Sequence, residues 1–233
     1  MLEVARLDAW YGQAQILYGV SLAVGAGECV ALVGRNGAGK STTMKAIMGV
    51  LARRRGRVAF RGQDISALAP YRIARLGLGW VPEDRRVFTD LTVRENLAVA
   101  RQPPREGAPT WREEQLYALF PNLGAMPDRP GGRMSGGEQQ MLTVARTLMG
   151  NPYLVLLDEP SEGVAPLIVE EMARMIVALK QAGVAILLSE QNLHFAQLVS
   201  DRAVVLEKGE VKFVGTMEAL MSDETLLRTH LSV

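Results

Sequence analysis

The sequence predicts an α/β fold with a helical segment inserted into it, and three observations carry that expectation. An apolar run at 28–33 (ECVALV) ends in glycines and is followed at 41–51 by Met44, Ile47, Met48 and Leu51 at helical spacing. The final third repeats the alternation, with 153–157 (YLVLL) and 184–188 (VAILL) wholly apolar, as in the middle of a parallel sheet. Between these regions, 84–132 holds six of the eleven prolines and few strand-like runs.

In chain order, 2–10 alternates loosely and 20–24 is apolar, so the N-terminal third reads as short strands. Residues 57–60 (RVAF), followed by Arg61-Gly62, read as a further strand and turn. In the middle, 92–101 and 110–120 read as helices around a PPREGAP loop. Residues 139–149 are helical by apolar spacing. The 166–181 stretch is an amphipathic helix with Ile168, Met172, Met175, Ile176 and Leu179 on one side and Gly183 as its stop. Residues 203–206 and 211–214 read as a terminal hairpin. The expected organisation is one domain over 1–233, with core and β region at about 1–83 and 150–233 and a helical subdomain at about 84–149.

Hydrophobic residues at 48% and charged residues at 22% exclude a disordered or fibrous chain. Lys+Arg at 26 against Asp+Glu at 25 argues against a protein built to coat nucleic acid. A single cysteine excludes an internal disulfide framework and fits a reducing compartment. No apolar run approaches the ~18–20 residues that span a bilayer. The opening MLEVARLDAW lacks the apolar core of a signal peptide, so a cytoplasmic location is expected.

Three motifs carry chemistry. The run Gly34-Arg35-Asn36-Gly37-Ala38-Gly39-Lys40-Ser41 matches G-x-x-x-x-G-K-[ST]. Its glycines let backbone N–H groups surround phosphate oxygens, and the following helix presents its positive end to the same anion. Lys40 is expected to reach the β and γ phosphates and the Ser41 hydroxyl to ligate Mg²⁺. Cys29, on the preceding strand, reads as an inert buried thiol.

The run Leu154-Val155-Leu156-Leu157-Asp158-Glu159-Pro160 places two carboxylates after a buried strand, where open parallel sheets bind ligands. Asp158 can hold Mg²⁺ directly or through water, and Glu159 can orient or deprotonate an attacking water. Taken alone, the pair also reads as two solvated acids. In Met134-Ser135-Gly136-Gly137-Glu138, Ser135 and Glu138 form a capping box. Glycine in a helix costs about 1 kcal/mol relative to alanine, so two of them point to a second anion site.

This combination resembles the ATP-binding subunit of ABC transporters over nearly the whole chain. The resemblance implies a P-loop NTPase (RecA-like) core with an N-terminal antiparallel β subdomain and an inserted helical subdomain. It also implies two subunits joined head to tail, with ATP held between the phosphate loop of one and the SGGE helix start of the other. On that resemblance Tyr11 stacks on adenine, and Gly34 through Ser41, with Thr42, cradles the phosphates. Ser135, Gly136, Gly137 and Glu138 meet the γ-phosphate across the dimer. Asp158 is the acid of the Mg²⁺ site and Glu159 the catalytic glutamate.

Some positions depart from the family pattern. Glu83 stands where most members have glutamine; its carboxylate can bind Mg²⁺ or a water on it but cannot donate a hydrogen bond. Gln191 stands where a switch histidine is expected; it can donate to the γ-phosphate but cannot shuttle protons, which favours Glu159 as the main base. The turn 161–166 lacks the usual aspartate. His194 reads as a structural or surface residue, and His230 has no obvious ligand partners.

The runs VPEDRRVF, MSGGEQQML, LDEPSEGVAP and SEQN are most similar to the ATPases of branched-chain amino-acid importers, the LivF type, and urea or short-amide importers share much of the pattern. That likeness implies a peripheral protein on the cytoplasmic face of a bacterial inner membrane. Its partners would be a second ATPase subunit, two permeases and, indirectly, a periplasmic solute-binding protein, with no nucleic acid. The groove near 83–88 is expected to receive a permease, with Val87, Phe88 and Leu91 either exposed for docking or packed inside the helical subdomain. A soluble ABC ATPase of DNA maintenance would need a coiled-coil insertion, and no heptads are present. The arginines at 53–57 read as a solvated turn.

Overall fold

The computed structural model describes residues 1–231. The chain begins with β1 (Leu2–Tyr11), β2 (Ala14–Val24), β3 (Cys29–Val33) and α1 (Lys40–Ile47), then β4 (Arg53–Phe60), β5 (Gln63–Asp64), α2 (Pro70–Arg75) and β6 (Leu78–Val81). A helical stretch follows: α3 (Val93–Ala98), α4 (Glu113–Leu119), α5 (Pro121–Gly124) and α6 (Gly136–Leu148). The chain then returns to alternation with β7 (Leu154–Asp158), α7 (Pro166–Gln181), β8 (Ala185–Glu190), α8 (Leu193–Val199), β9 (Arg202–Glu207), β10 (Glu210–Thr216) and α9 (Met217–Ser222).

Two sheets organise these elements. The larger has the order β10-β9-β3-β8-β7-β6, with β10 antiparallel and the rest parallel. The smaller is antiparallel, in the order β2-β1-β4-β5. Every residue of β3, β7 and β8 is buried, which explains why these strands read as unbroken apolar runs rather than as alternation. One face of the larger sheet, with Leu32, Leu156 and Leu187, packs on α1 and the small sheet; the other, with Leu157, Ile186 and Leu188, packs on α6 and α7. Because β3, β7 and β8 run parallel, the loops that follow them emerge at one edge. Val33 pairs with Glu190 and Asp158 with Ser189 at that edge.

The structure corrects several expectations. Helix α1 ends at Ile47, short of 51, because Gly49 turns left-handed at φ 74°. The arginines at 53–57 form the start of β4 and not a solvated turn: Arg53 and Arg55 lie over the Trp10 ring, and Arg54 donates to the carbonyls of Leu51 and Ser66. Helices α3 and α4 are shorter than 92–101 and 110–120, while α6 starts earlier than 139, directly after its Ser135 cap. Strand β6 lies between Gly77 and Pro82 with Gly79 inside it; glycine hides a short strand from periodicity. No helix among the described residues is long and apolar enough to cross a membrane.

Candidate active site

The phosphate loop joins β3 to α1. Gly39 is the N-cap of α1 at φ 109°, and no side chain caps that helix start. A Cβ on Gly39 would come within 2.8 Å of Leu17, whereas one on Gly37, at φ 79°, would meet nothing. The loop is therefore closed against the protein at Gly39 and open at Gly37. A cavity of about 300 Å³ lies there, lined by Tyr11, Ile16, Gly37, Lys40, Ser41 and Glu159 among others. Tyr11 is half-exposed at its rim, while neighbouring Trp10 faces the arginines of β4. Arg35 and Asn36 are exposed, and Ala38 and Thr42 are buried.

Lys40 is buried, and its Nζ donates to the carbonyls of Gly34 (2.7 Å) and Arg35 (3.2 Å). It also pairs with Glu159 Oε1 at 3.0 Å, with both side chains nearly inaccessible. Lys40 Nζ is thus satisfied by its own loop and by the carboxylate expected to act as base.

The ends of β7 and β8 hold the acids. Ser41 Oγ (3.0 Å) and Ser189 Oγ (2.6 Å) both donate to Asp158 Oδ1. Burial pushes the Asp158 carboxyl upward, against the two serine hydrogen bonds. Glu159 sits at φ 46°, a strained backbone for a residue with a Cβ. Its N–H is held by the Ser189 carbonyl and Oγ, each at 3.1 Å. Glu162 is raised, chiefly by its hydrogen bond to Glu159. Glu190 is pushed up to about 7, mainly by burial. A second cavity of about 300 Å³ is lined by Glu159, Ser161, Glu162, Glu190, Gln191 and Asn192, so Glu159 borders both openings and Gln191 shares one with it.

Among the described residues no group of three or more His, Cys, Asp or Glu could hold a metal ion. Ser41 and Asp158 present two converging oxygens, which suits a hard cation completed by phosphate and water. Glu83 is exposed beside a different cavity, with Asp84, Arg85, Arg86 and Gln139, and reaches the acidic group only through its charge on Glu162.

The helix start at Ser135 is closed in on itself. Ser135 N–H donates to Glu138 Oε2 (2.7 Å) and Glu138 N–H to Ser135 Oγ (3.3 Å), so the Glu138 carboxylate is occupied within the chain. Side chains fill the space beside both glycines. A Cβ on Gly136 would collide with the Arg85 guanidinium, and one on Gly137 would lie 2.9 Å from Ile168. Bare backbone at Gly137 therefore has an internal cause beside the anion site that the sequence suggested, whereas at Gly136 only the movable end of Arg85 stands in the way. Ser135 is exposed, and none of Ser135, Gly136 and Gly137 lines the phosphate-loop cavity.

Of the remaining residues singled out, Cys29 is buried and its thiol pushed up to about 12 by burial, as an inert thiol should be. His194 is exposed, and His230 sits 2.8 Å from Glu207, away from the acids. Val87 packs into the core of the helical stretch, Leu91 is partly buried and Phe88 is exposed with the Arg146 guanidinium 4.8 Å from its ring. Sequence reasoning assigned no role to Ser189, Glu190 or Arg85. A usable signal existed for the first two: a polar pair closing an apolar strand, as Asp158-Glu159 closes β7.

Residues 17–162 match the family described as ABC transporter. The chain is 40% identical over 223 residues to the high-affinity branched-chain amino acid transport ATP-binding protein BraG of Pseudomonas aeruginosa, covering 96% of each chain. It is 36% identical to the probable branched-chain amino acid transport ATP-binding protein LivF of Archaeoglobus fulgidus, covering 96% of this chain and 95% of that one. It is 34% identical to the lipopolysaccharide export system ATP-binding protein LptB of Haemophilus influenzae, covering 99% and 97%. A solved nucleotide-free ATP-binding cassette from an ABC transporter superposes with a TM-score of 0.82 at 27% identity, covering 97% of each chain.

Proposed function

The chain belongs to the ABC transporter family as an ATP-binding, ATP-hydrolysing subunit, and from that premise we propose that it powers an importer of branched-chain amino acids. ABC ATPase subunits work with transmembrane permease components. The further composition we propose is a second ATPase subunit, two transmembrane permeases and, indirectly, a periplasmic solute-binding protein, with this chain peripheral on the cytoplasmic face of the inner membrane. The solute reading rests on likeness to BraG and LivF. LptB supports a second reading, an ATPase of lipid export, and urea or short-amide import is a third. No residue of the active site bears on the solute, because the ATPase handles nucleotide only.

One observation carries the catalytic reading: Lys40–Glu159 and Ser41–Asp158, each at 3.0 Å, meet beside a cavity rimmed by Tyr11. Lys40 leaves Glu159 to hold the β and γ phosphates. The freed Glu159 carboxylate takes a proton from water, whose oxygen bonds to the γ-phosphorus as the bond to the bridging oxygen breaks. Gln191 donates a hydrogen bond to the γ-phosphate from the neighbouring opening. Ser41 and Asp158 would hold Mg²⁺, which when bound supplies positive charge against the phosphates, while Glu83 faces a different cavity. Ser135, Gly136 and Gly137 complete the site from the second subunit.

In place of the groove near 83–88 expected from the sequence, the permease docks in the groove between α2, β6 and α6, a cavity of about 470 Å³ lined by Tyr71, Trp80 and Arg146 among others. Tyr71 and, beside Arg146, Phe88 are exposed, and the buried Trp80 Nε1 has no hydrogen-bond partner among the described residues. The test is to purify the tagged chain from membranes in mild detergent and identify its companions by mass spectrometry. Two permeases, a second ATPase and a binding protein that takes leucine would support the importer. Partners that carry lipid would move the assignment to export, and the absence of any membrane partner would end the transport reading.

A further inference from the structure

Glu190 ends β8 and is 2% exposed. Its carboxylate accepts from Ser161 Oγ (2.9 Å), Ser161 N–H (3.2 Å) and Asn192 N–H (3.3 Å). All three donors are neutral. No cation pairs with Glu190 among the described residues, and the charge acting on it is the like charge of Glu159. A buried carboxylate without a cation is costly, so a stability role alone does not account for it.

What the carboxylate does is mechanical. Ser161 belongs to the turn after β7, and Asn192 follows Gln191 in the turn after β8. Glu190 therefore ties the two turns together across the cavity that Glu159 and Gln191 share. The preceding residue acts on the other end of the same segment: Ser189 holds the Glu159 N–H through its carbonyl and Oγ. The last two residues of β8 thus clamp Glu159-Pro160-Ser161 at both ends, and Pro160 stiffens the span between. The strained Glu159 backbone lies inside this clamp.

We propose that Glu190 is a positioning residue for ATP hydrolysis: it couples the turn carrying Ser161 to the turn carrying Gln191, so that Glu159 and Gln191 are set together. The proposal rests on the reading of Glu159 as base and Gln191 as γ-phosphate donor. Glu190 touches no substrate.

The experiment compares the full-length chain with Glu190→Gln, Glu190→Ala, Ser161→Ala and the Ser161→Ala/Glu190→Ala double variant. Steady-state ATPase, ATP affinity and amide hydrogen exchange over both turns are measured for each. Loss of charge-assisted hydrogen bonds to two turns predicts a kcat about tenfold lower in Glu190→Ala, with ATP affinity within about twofold. Glu190→Gln, which keeps an acceptor oxygen, recovers part of the rate. The double variant is no slower than Glu190→Ala, because both changes break one link. Exchange rises in 161–165 and 191–193 together in Glu190→Ala, while Ser161→Ala loosens the second turn through Glu190.

An unchanged kcat in a folded Glu190→Ala, additive losses in the double variant, or exchange confined to one turn would each overturn the coupling. Glu159→Gln, run alongside, separates the two claims: if it hydrolyses at the parent rate the base assignment fails, while the exchange data still decide whether Glu190 joins the turns. Where Glu190→Ala does not fold, Glu190→Gln carries the same comparison.

Discussion

Two α-helix starts among the described residues, those of α1 and α6, carry glycine, and they are built in opposite ways. At α1 no side chain caps the helix, Gly37 faces open space, and Lys40 is parked on its own loop and on Glu159. At α6 the Ser135–Glu138 box satisfies the first turn, and the space beside Gly136 and Gly137 is filled by Arg85 and Ile168. The first start leaves open space at Gly37 that an anion could fill; the second is filled by side chains of the same chain. The same residue type therefore signals two things: room for a ligand at Gly37, and close approach of the chain to itself at Gly137.

That contrast can be broken most forcefully at Glu159. Glu159→Gln keeps the shape but cannot accept the proton, so kcat should fall by about 10²–10⁴-fold. Nucleotide affinity should hold or rise, since the partner that detains Lys40 is weakened. Equal rates in single-turnover assays would remove Glu159 as base.

Titration offers a second probe, because the buried acids sit on the α1 side. Glu190 has a folded pKa of about 7, above the unfolded value of about 4.3. Between those values the folded chain binds more protons, so its stability falls as pH rises through the window. The expected loss is roughly 3 kcal/mol from about pH 5 to about pH 8, with the raised Asp158 adding in the same direction. Denaturant melts across this range should show the slope in the parent and a flatter one in Glu190→Gln. A slope unchanged by that substitution would move its origin elsewhere.

Glycine replacements compare the two starts directly. Gly37→Ala places a methyl in open space at φ 79°, so nucleotide affinity should drop about tenfold while the fold survives at a cost of about 1–2 kcal/mol. Gly136→Ala meets only the far end of Arg85, which can swing away. Alanine also suits a helix better, so stability should change by less than about 1 kcal/mol. Nucleotide binding to the isolated chain should stay as it was. Calorimetric titration of both variants checks the pair, and matching losses of affinity would erase the distinction. The smallest effect is expected for Ser135→Ala, about 1 kcal/mol of stability from the lost cap, read as a shift in melting temperature with nucleotide affinity of the isolated chain unchanged.

Much of this was legible beforehand because it is local. The runs CVALV, LVLLD and AILLSE are buried along their whole length, so composition alone marks them as central parallel strands. Motif spacing singled out Lys40, Ser41, Asp158 and Glu159, which the structure brings together, because the glycine-rich loop and the acid-tipped strand each fit within about ten residues. The Ser135 box was readable for the same reason. What failed to show were elements punctuated by glycine, such as β6, and the arginine-rich start of β4, whose polar run hid a strand.

By itself, the sequence determined the α/β class, the position of the phosphate loop and acids, and the family. Each depends on residues near one another along the chain. Only the tertiary structure decided that β8 lies between β3 and β7, and everything at the strand ends follows from that order. Ser189 reaches Asp158, Glu190 reaches Ser161, Lys40 reaches Glu159, and Arg85 covers Gly136. These partners are 29 to 119 residues apart. Periodicity tells which face a side chain takes, but not which strand stands beside it, and that adjacency is what turns separate motifs into one site.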